Sequence, residues 1–278
     1  MRIRIISASV GIPVVLITIW SGLPGIAILS IVAGFIAGKE IHQMMWPESV
    51  SKLPWDGVRV ISLVMGPSIM ACFGILLLTE GRIVGDHLPV TLAVVFALAL
   101  LLRGTATLGK SGSNRGTGHH AFWVFSAYVG IALAHGPVLV AHVDGRQLLL
   151  MAILTTFAID STALCVGLLI GQTPLASNIS PKKSLEGAIG GIVIGIIVTI
   201  LINFVFATHF SMIVAAILGG LLGVIAVAGD LYESWIKRRA EVKDSGTLIP
   251  GHGGILDRLD SVIPNIVVVY WVAVWSTP

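Results

Sequence analysis

Eleven of the 31 charged side chains in this 278-residue chain fall between residues 230 and 260. They are Asp230, Glu233, Lys237, Arg238, Arg239, Glu241, Lys243, Asp244, Asp257, Arg258 and Asp260. If a helix runs through 230–237, Asp230, Ser234 and Lys237 stand four and three residues apart and share one face. Gly246 is then the expected stop, and Leu248–Gly254, LIPGHGG, is a turn whose glycines let backbone come close to a ligand. Asp257 and Asp260, three apart, share a face at the start of the next apolar run. Hard carboxylate oxygens beside Lys and Arg suit Mg²⁺, which keeps waters and takes its other ligands from substrate phosphates. The cations neutralise the free phosphate oxygens. The chemistry that needs this combination is phosphoryl or nucleotidyl transfer, where positioning and charge neutralisation matter more than a protein nucleophile. A juxtamembrane loop that binds anionic lipid through Lys237–Arg239 also accounts for the cations, but not for Asp230, Asp257 and Asp260.

The elements that must position these groups are membrane helices. Charged residues make up 11% of the chain and hydrophobic ones 55%, with mean hydropathy +0.96. Soluble domains carry about 25% charge, so a water-soluble fold is excluded, and so is intrinsic disorder. Runs of the length that crosses hydrocarbon, about 20 residues, predict an all-α, polytopic integral membrane protein with about nine spans. These are Ile5–Trp20, Leu23–Gly38, Val58–Leu78, Leu88–Leu102, Ala121–Ala141, Leu148–Ile170, Leu185–Phe206, Ser211–Gly229 and Val262–Trp275. The basic, apolar N-terminus is read as a retained first span rather than a cleaved signal. Ser21-Gly22 and Pro24-Gly25 separate the first two runs as a tight hairpin. With this span list, fifteen of the seventeen Lys and Arg fall on one side and only Arg82 and Arg146 on the other. The asymmetry predicts a cytoplasmic N-terminus. Residues 1–278 read as a single domain without internal repeats; 151–278 carry the chemistry-bearing motifs and 1–150 are less specific.

Several features are set aside. Gly104–Ser111 matches the phosphate-loop pattern letter by letter, but it follows a membrane span instead of a strand and leads into a Gly/Ser-rich connector. Asn178-Ile179-Ser180 is a glycosylation sequon on the cytoplasmic side. Cys72 and Cys165 lie in apolar runs, which argues against a disulfide. His119 and His120 have no partners at metal-ligand spacing. Gly187-Gly191-Gly195 and Gly219-Gly223 allow close helix packing, within the chain or in a homodimer.

The run Ser234–Asp260, SWIKRRAEVKDSGTLIPGHGGILDRLD, resembles the signature of the phosphatidate cytidylyltransferases, also called CDP-diacylglycerol synthases. That signature reads S-x-aliphatic-K-R, four residues, K-D-x-small, two residues, aliphatic-P-x-H-G-G-aliphatic-x-D-R-aliphatic-D, and every fixed position is met. Gly229-Asp230-Leu231, Ser180–Ser184 with Glu186-Gly187, and Asp160 also resemble the family, so the close resemblance covers roughly residues 155 to 262. It implies that CTP and phosphatidate give CDP-diacylglycerol and pyrophosphate, with Mg²⁺ and a monovalent cation such as K⁺. By resemblance, Asp230 and Asp257 carry metal with Asp260 close by, and Lys237 belongs to the catalytic set. Ser180, Lys182, Lys183, Arg238, Lys243, Asp244, His252 and Arg258 match positions that hold substrate. The implied setting is the cytoplasmic face of the cell membrane, with no nucleic-acid partner. After Asp160 the family shows a small-Ala-aromatic run, whereas this chain has Ser161-Thr162-Ala163-Leu164-Cys165. Two other readings compete: a cytidylyltransferase for a different lipid phosphate, and an ion-coupled transporter using Asp160 and Asp230.

Overall fold

The computed structural model describes residues 2–45, 115–246, 248 and 253–276. Helices α1 (Arg2–Trp20) and α2 (Leu23–Met45) are joined by Ser21-Gly22, with Gly22 at φ 75°. Pro24 and Gly25 belong to the first turn of α2, where a proline's missing N–H costs nothing. Helices α3 (Arg115–Val140) and α4 (Gly145–Ile170) follow. A hairpin of β1 (Pro174–Ala176) and β2 (Ser180–Ser184), paired antiparallel, leads into α5 (Leu185–Phe206). Then come α6 (Met212–Arg239), the short α7 (Leu256–Leu259) and α8 (Val262–Ser276).

Seven of the nine expected spans thus coincide with described helices, while Val58–Leu78 and Leu88–Leu102 lie outside the described residues, as does the phosphate-loop look-alike. Among the described residues, five helical segments are long and apolar enough to cross a membrane: Leu23–Met44, Gly145–Ile170, Leu185–Phe206, Met212–Arg239 and Leu256–Ser276. Leu168 and Leu169 of α4, Phe204 of α5 and Ile213 of α6 are exposed. Such outward apolar surface suits contact with hydrocarbon.

Two local expectations are corrected. Residues 174–184, between two expected spans of an all-α fold, form a β-hairpin. Helix α6 runs ten residues past Gly229 and stops at Arg239, well before Gly246. Its end is closed by Glu241, which takes the left-handed conformation at φ 57°. The Glu241 N–H donates to Arg238 O (3.2 Å) and the Val242 N–H to Lys237 O (3.0 Å). This is the double bond of a Schellman cap, with glutamate where glycine is usual.

The chain divides into two compact units, one of residues 1–138 with 244–256, the other of 139–243 with 257–278. In the second unit α4, α5, α6 and α8 pack on one another. Its core rests on close backbone approach: a Cβ on Gly219 would lie 2.5 Å from Gly195 O, and one on Gly195 would lie 2.8 Å from Gly219 O. Gly195 and Gly219 therefore meet within the chain, while Gly187 and Gly191 face α4 and Gly223 faces Ile192 of α5, so both rows serve packing inside this unit. Buried polar pairs join the same helices. Thr155 Oγ1 of α4 lies 3.3 Å from Thr199 Oγ1 of α5, and Asn265 Nδ2 of α8 donates to Thr156 Oγ1 of α4 at 2.8 Å. In an apolar surrounding such bonds also fix which faces meet.

Candidate active site

The site is built on the C-terminal part of α6, β2 and residues 257–260, all in the second unit. The i, i+4 spacing on α6 brings Ser234 Oγ to donate to Asp230 Oδ1 at 3.4 Å. From β2, Lys183 Nζ pairs with Asp230 Oδ2 at 2.5 Å. The neighbouring Lys182 is exposed, while Lys183 is half-buried. The hairpin is held by Glu186, whose carboxylate accepts from the Gln172 and Thr173 N–H groups (3.1–3.2 Å). Ser184 caps α5 by accepting from the Gly187 N–H at 3.1 Å. One turn further along α6, Lys237 Nζ donates to Asp257 Oδ1 at 2.6 Å and lies 3.5 Å from Glu233 Oε1. The side chains of Lys237 and Asp257 are 12% and 8% exposed, so this pair is largely removed from water. Asp260 Oδ1 accepts from the Ser261 N–H at 2.7 Å.

Asp230 and Asp260 are brought near each other by Gly229, where a Cβ would collide with the Asp260 carbonyl oxygen. Substituting Gly229→Ala is therefore expected to push the Asp257–Asp260 segment off α6. Overpacking of this kind costs about 1–3 kcal/mol. A lower thermal midpoint in detergent together with a lower kcat is the expected result; wild-type values for both would contradict this packing.

Two acidic groups outside the expected site belong to the same cluster. Glu233, 3% exposed, interacts electrostatically with Asp260, Lys237 and Asp257. Asp160, from α4, lies within electrostatic range of Asp260, Asp230, Lys183 and Arg258. Five carboxyl groups thus meet three cations. Taking charges out of water costs several kcal/mol each unless they are paired, so an excess of acid here favours additional cations. Among the described residues no three acidic, histidine or cysteine side chains converge as a ready metal cage. The carboxylates of Asp230, Asp257 and Asp260 are hard oxygen donors of the kind Mg²⁺ takes one or two at a time, together with waters and substrate phosphates.

The remaining described residues of the expected site lie along the hairpin and at or after the end of α6. Arg238 is exposed and donates to two backbone carbonyls, Ile179 O at 3.3 Å and Val242 O at 3.4 Å, which ties the hairpin to α6. Ser180 opens β2, half-buried. Lys243 and Asp244 are exposed after the helix end. His252 lies outside the described residues. Sequence reasoning missed the place of Glu233, although it falls in the charged segment. It also missed Glu40, an acidic residue at the end of an apolar span and buried at 3% exposure; the Lys39-Glu40 pair directly after a membrane run was the available signal.

Fold and cluster together define a class: a multi-pass α-helical membrane protein whose ionisable groups gather where α6, the hairpin and the start of α8 meet. Residues 2–275 match the model of the cytidylyltransferase family, and the chain belongs to that family. It is 30% identical over 264 residues to a phosphatidate cytidylyltransferase of Staphylococcus saprophyticus, covering 94% of each chain. A phosphatidate cytidylyltransferase of Synechocystis sp. is 42% identical over 134 residues, 48% of this chain and 45% of that one. The chloroplastic phosphatidate cytidylyltransferase 4 of Arabidopsis thaliana is 36% identical over 246 residues, 82% of this chain and 62% of that one.

Proposed function

We propose that this chain transfers the cytidylyl group of CTP to phosphatidate, giving CDP-diacylglycerol and pyrophosphate. The observation that carries the reading is the pair of lysine–aspartate contacts, Lys183–Asp230 and Lys237–Asp257, made by residues of the family-like motifs within one unit. A phosphate oxygen of phosphatidate attacks the α-phosphorus of CTP; the bond from that phosphorus to the bridging oxygen breaks, and pyrophosphate leaves with the electron pair. The lipid phosphate is itself the nucleophile, so the protein's task is to align and neutralise.

Asp230 and Asp257, with Asp260 beside them, would hold Mg²⁺, and a monovalent cation such as K⁺ would share the same acidic surroundings. When bound, Mg²⁺ supplies positive charge to the triphosphate and the departing pyrophosphate. Lys183 and Lys237 each carry three N–H donors, more than their carboxylates use, and the spare donors hold phosphate oxygens of the two substrates. Arg258 adds charge from α7, while Ser180, Lys182, Arg238 and Lys243 would hold substrate phosphates, and Asp244 and His252 match motif positions that hold substrate. The cation asymmetry supports a site facing the cytoplasm, where soluble CTP meets a lipid fixed in the cell membrane.

Purified protein in detergent with CTP, phosphatidate and Mg²⁺ is expected to release pyrophosphate only when phosphatidate is present. EDTA is expected to stop release and excess Mg²⁺ to restore it. Release that ignores phosphatidate would reject the lipid substrate, and EDTA-resistant release would reject the metal.

A further inference from the structure

Glu40 of α2 makes contacts that its position in the sequence does not announce. Its Oε1 accepts from the Ile255 N–H at 2.8 Å, and its Oε2 accepts from the Leu256 N–H at 3.0 Å and from Ser245 Oγ at 3.0 Å. The carboxylate is buried, and so is Ser245, at 3% exposure each. Two glycines leave the space it fills. A Cβ on Gly246 would lie 2.9 Å from Glu40 Oε1, and one on Gly254 would collide with Glu40 Oε2 and with Ser245 Oγ. The first N–H groups of a helix have no partner inside it, and α7 begins at Leu256. Bonds from N–H to an ionised acceptor are about twice as strong as neutral ones. Glu40 thus fixes both ends of the 245–256 segment, and the chain passes directly from the held Leu256 amide to Asp257.

We infer that Glu40 is a positioning residue for Asp257: by clamping the two amides before it, Glu40 sets where the Asp257 carboxylate is presented during turnover. The inference rests on the cytidylyl-transfer reading above. It makes Glu40 a partner of the reaction that touches neither substrate nor metal. Groups that orient a metal-binding side chain from outside typically matter by about 10–100-fold.

The test compares Glu40→Gln with wild type. Glutamine keeps the shape but turns an amide NH₂ toward an N–H donor, so one of the two backbone bonds is lost. Expected are a 10–100-fold fall in kcat and about a tenfold rise in the Mg²⁺ concentration for half-activation, with KM for phosphatidate within about twofold. Hydrogen exchange of a peptide spanning residues 253–258 is expected to quicken by about tenfold. A clamp that serves folding alone would lower the thermal midpoint and leave kcat and Mg²⁺ activation unchanged, and that result overturns the inference. If Glu40→Gln does not fold, Ser245→Ala removes the bond that steadies Glu40 Oε2 and so loosens its hold on the Leu256 amide. It is then expected to lower kcat severalfold, and wild-type kcat with faster exchange would overturn the inference equally. Absence of cytidylyl transfer in the wild type is a separate outcome, and it rejects the functional reading itself.

Discussion

Asp257→Asn is expected to lower kcat by about 10³-fold while the protein stays folded. Removing one preorganised charged group from a transition state that relies on charge costs about 10²–10³-fold, and Asp257 serves twice, as the acceptor for Lys237 and as a proposed Mg²⁺ ligand. Asparagine retains the volume and still accepts from Lys237 through its carbonyl, so the helical content and thermal midpoint are expected to stay close to wild type. Steady-state pyrophosphate release gives the rate, and circular dichroism gives the fold. Activity within tenfold of wild type would take Asp257 out of the reaction.

Lys237→Met is expected to have the largest effect on stability. Lys237 is 12% exposed and faces the carboxylates of Asp257 at 2.6 Å and Glu233 at 3.5 Å. Without it, Glu233 at 4% side-chain exposure and Asp257 at 8% are left without this counter-charge. Breaking a buried pair from one side costs about 3–5 kcal/mol, because the remaining charge loses its counter-charge without regaining water. The double variant Lys237→Met/Asp257→Asn removes charges of both signs and is expected to unfold at a higher temperature than Lys237→Met alone. That sign of coupling is the decisive feature. A double variant as unstable as the sum of the two singles would show that the pair does not hold α6 to the Asp257 segment. Turnover by Lys237→Met is expected to fall by at least about 10²-fold, since an ammonium near the phosphates is lost.

Much of this organisation was legible in the sequence because it rests on local signals. Long apolar runs gave seven helices at the expected places, for a helix in hydrocarbon must satisfy its own backbone polar groups and so shows as an unbroken stretch. The Asp230–Ser234–Lys237 face followed from helical spacing alone, and its hydrogen bond is present. Other features depend on contacts between distant residues. The hairpin at 174–184 is made of strands of three and five residues, two of them carrying prolines, Pro174 and Pro181, which ordinarily speak against a strand. The end of α6 was placed too late because Glu241 occupies a conformation that glycine usually takes. Glu40 meets Ile255 and Leu256 across more than 200 residues, and no periodicity reports such a partner. Asp160 stands in an apolar run followed by an unusual Ser161–Cys165 stretch, and only the packing of α4 brings its charge near Asp230 and Asp260.

The central claim, that the cytidylyl group and not another part of the nucleotide moves to the lipid, is tested most directly by the fate of two labels. Purified protein is supplied with Mg²⁺, phosphatidate and CTP carrying ³²P at either the α or the γ position, and the organic and aqueous phases are counted. The account predicts that α-label appears in the organic phase as a lipid while γ-label remains aqueous as pyrophosphate. Label from the γ position in the lipid, or none from the α position with phosphatidate present, would contradict it.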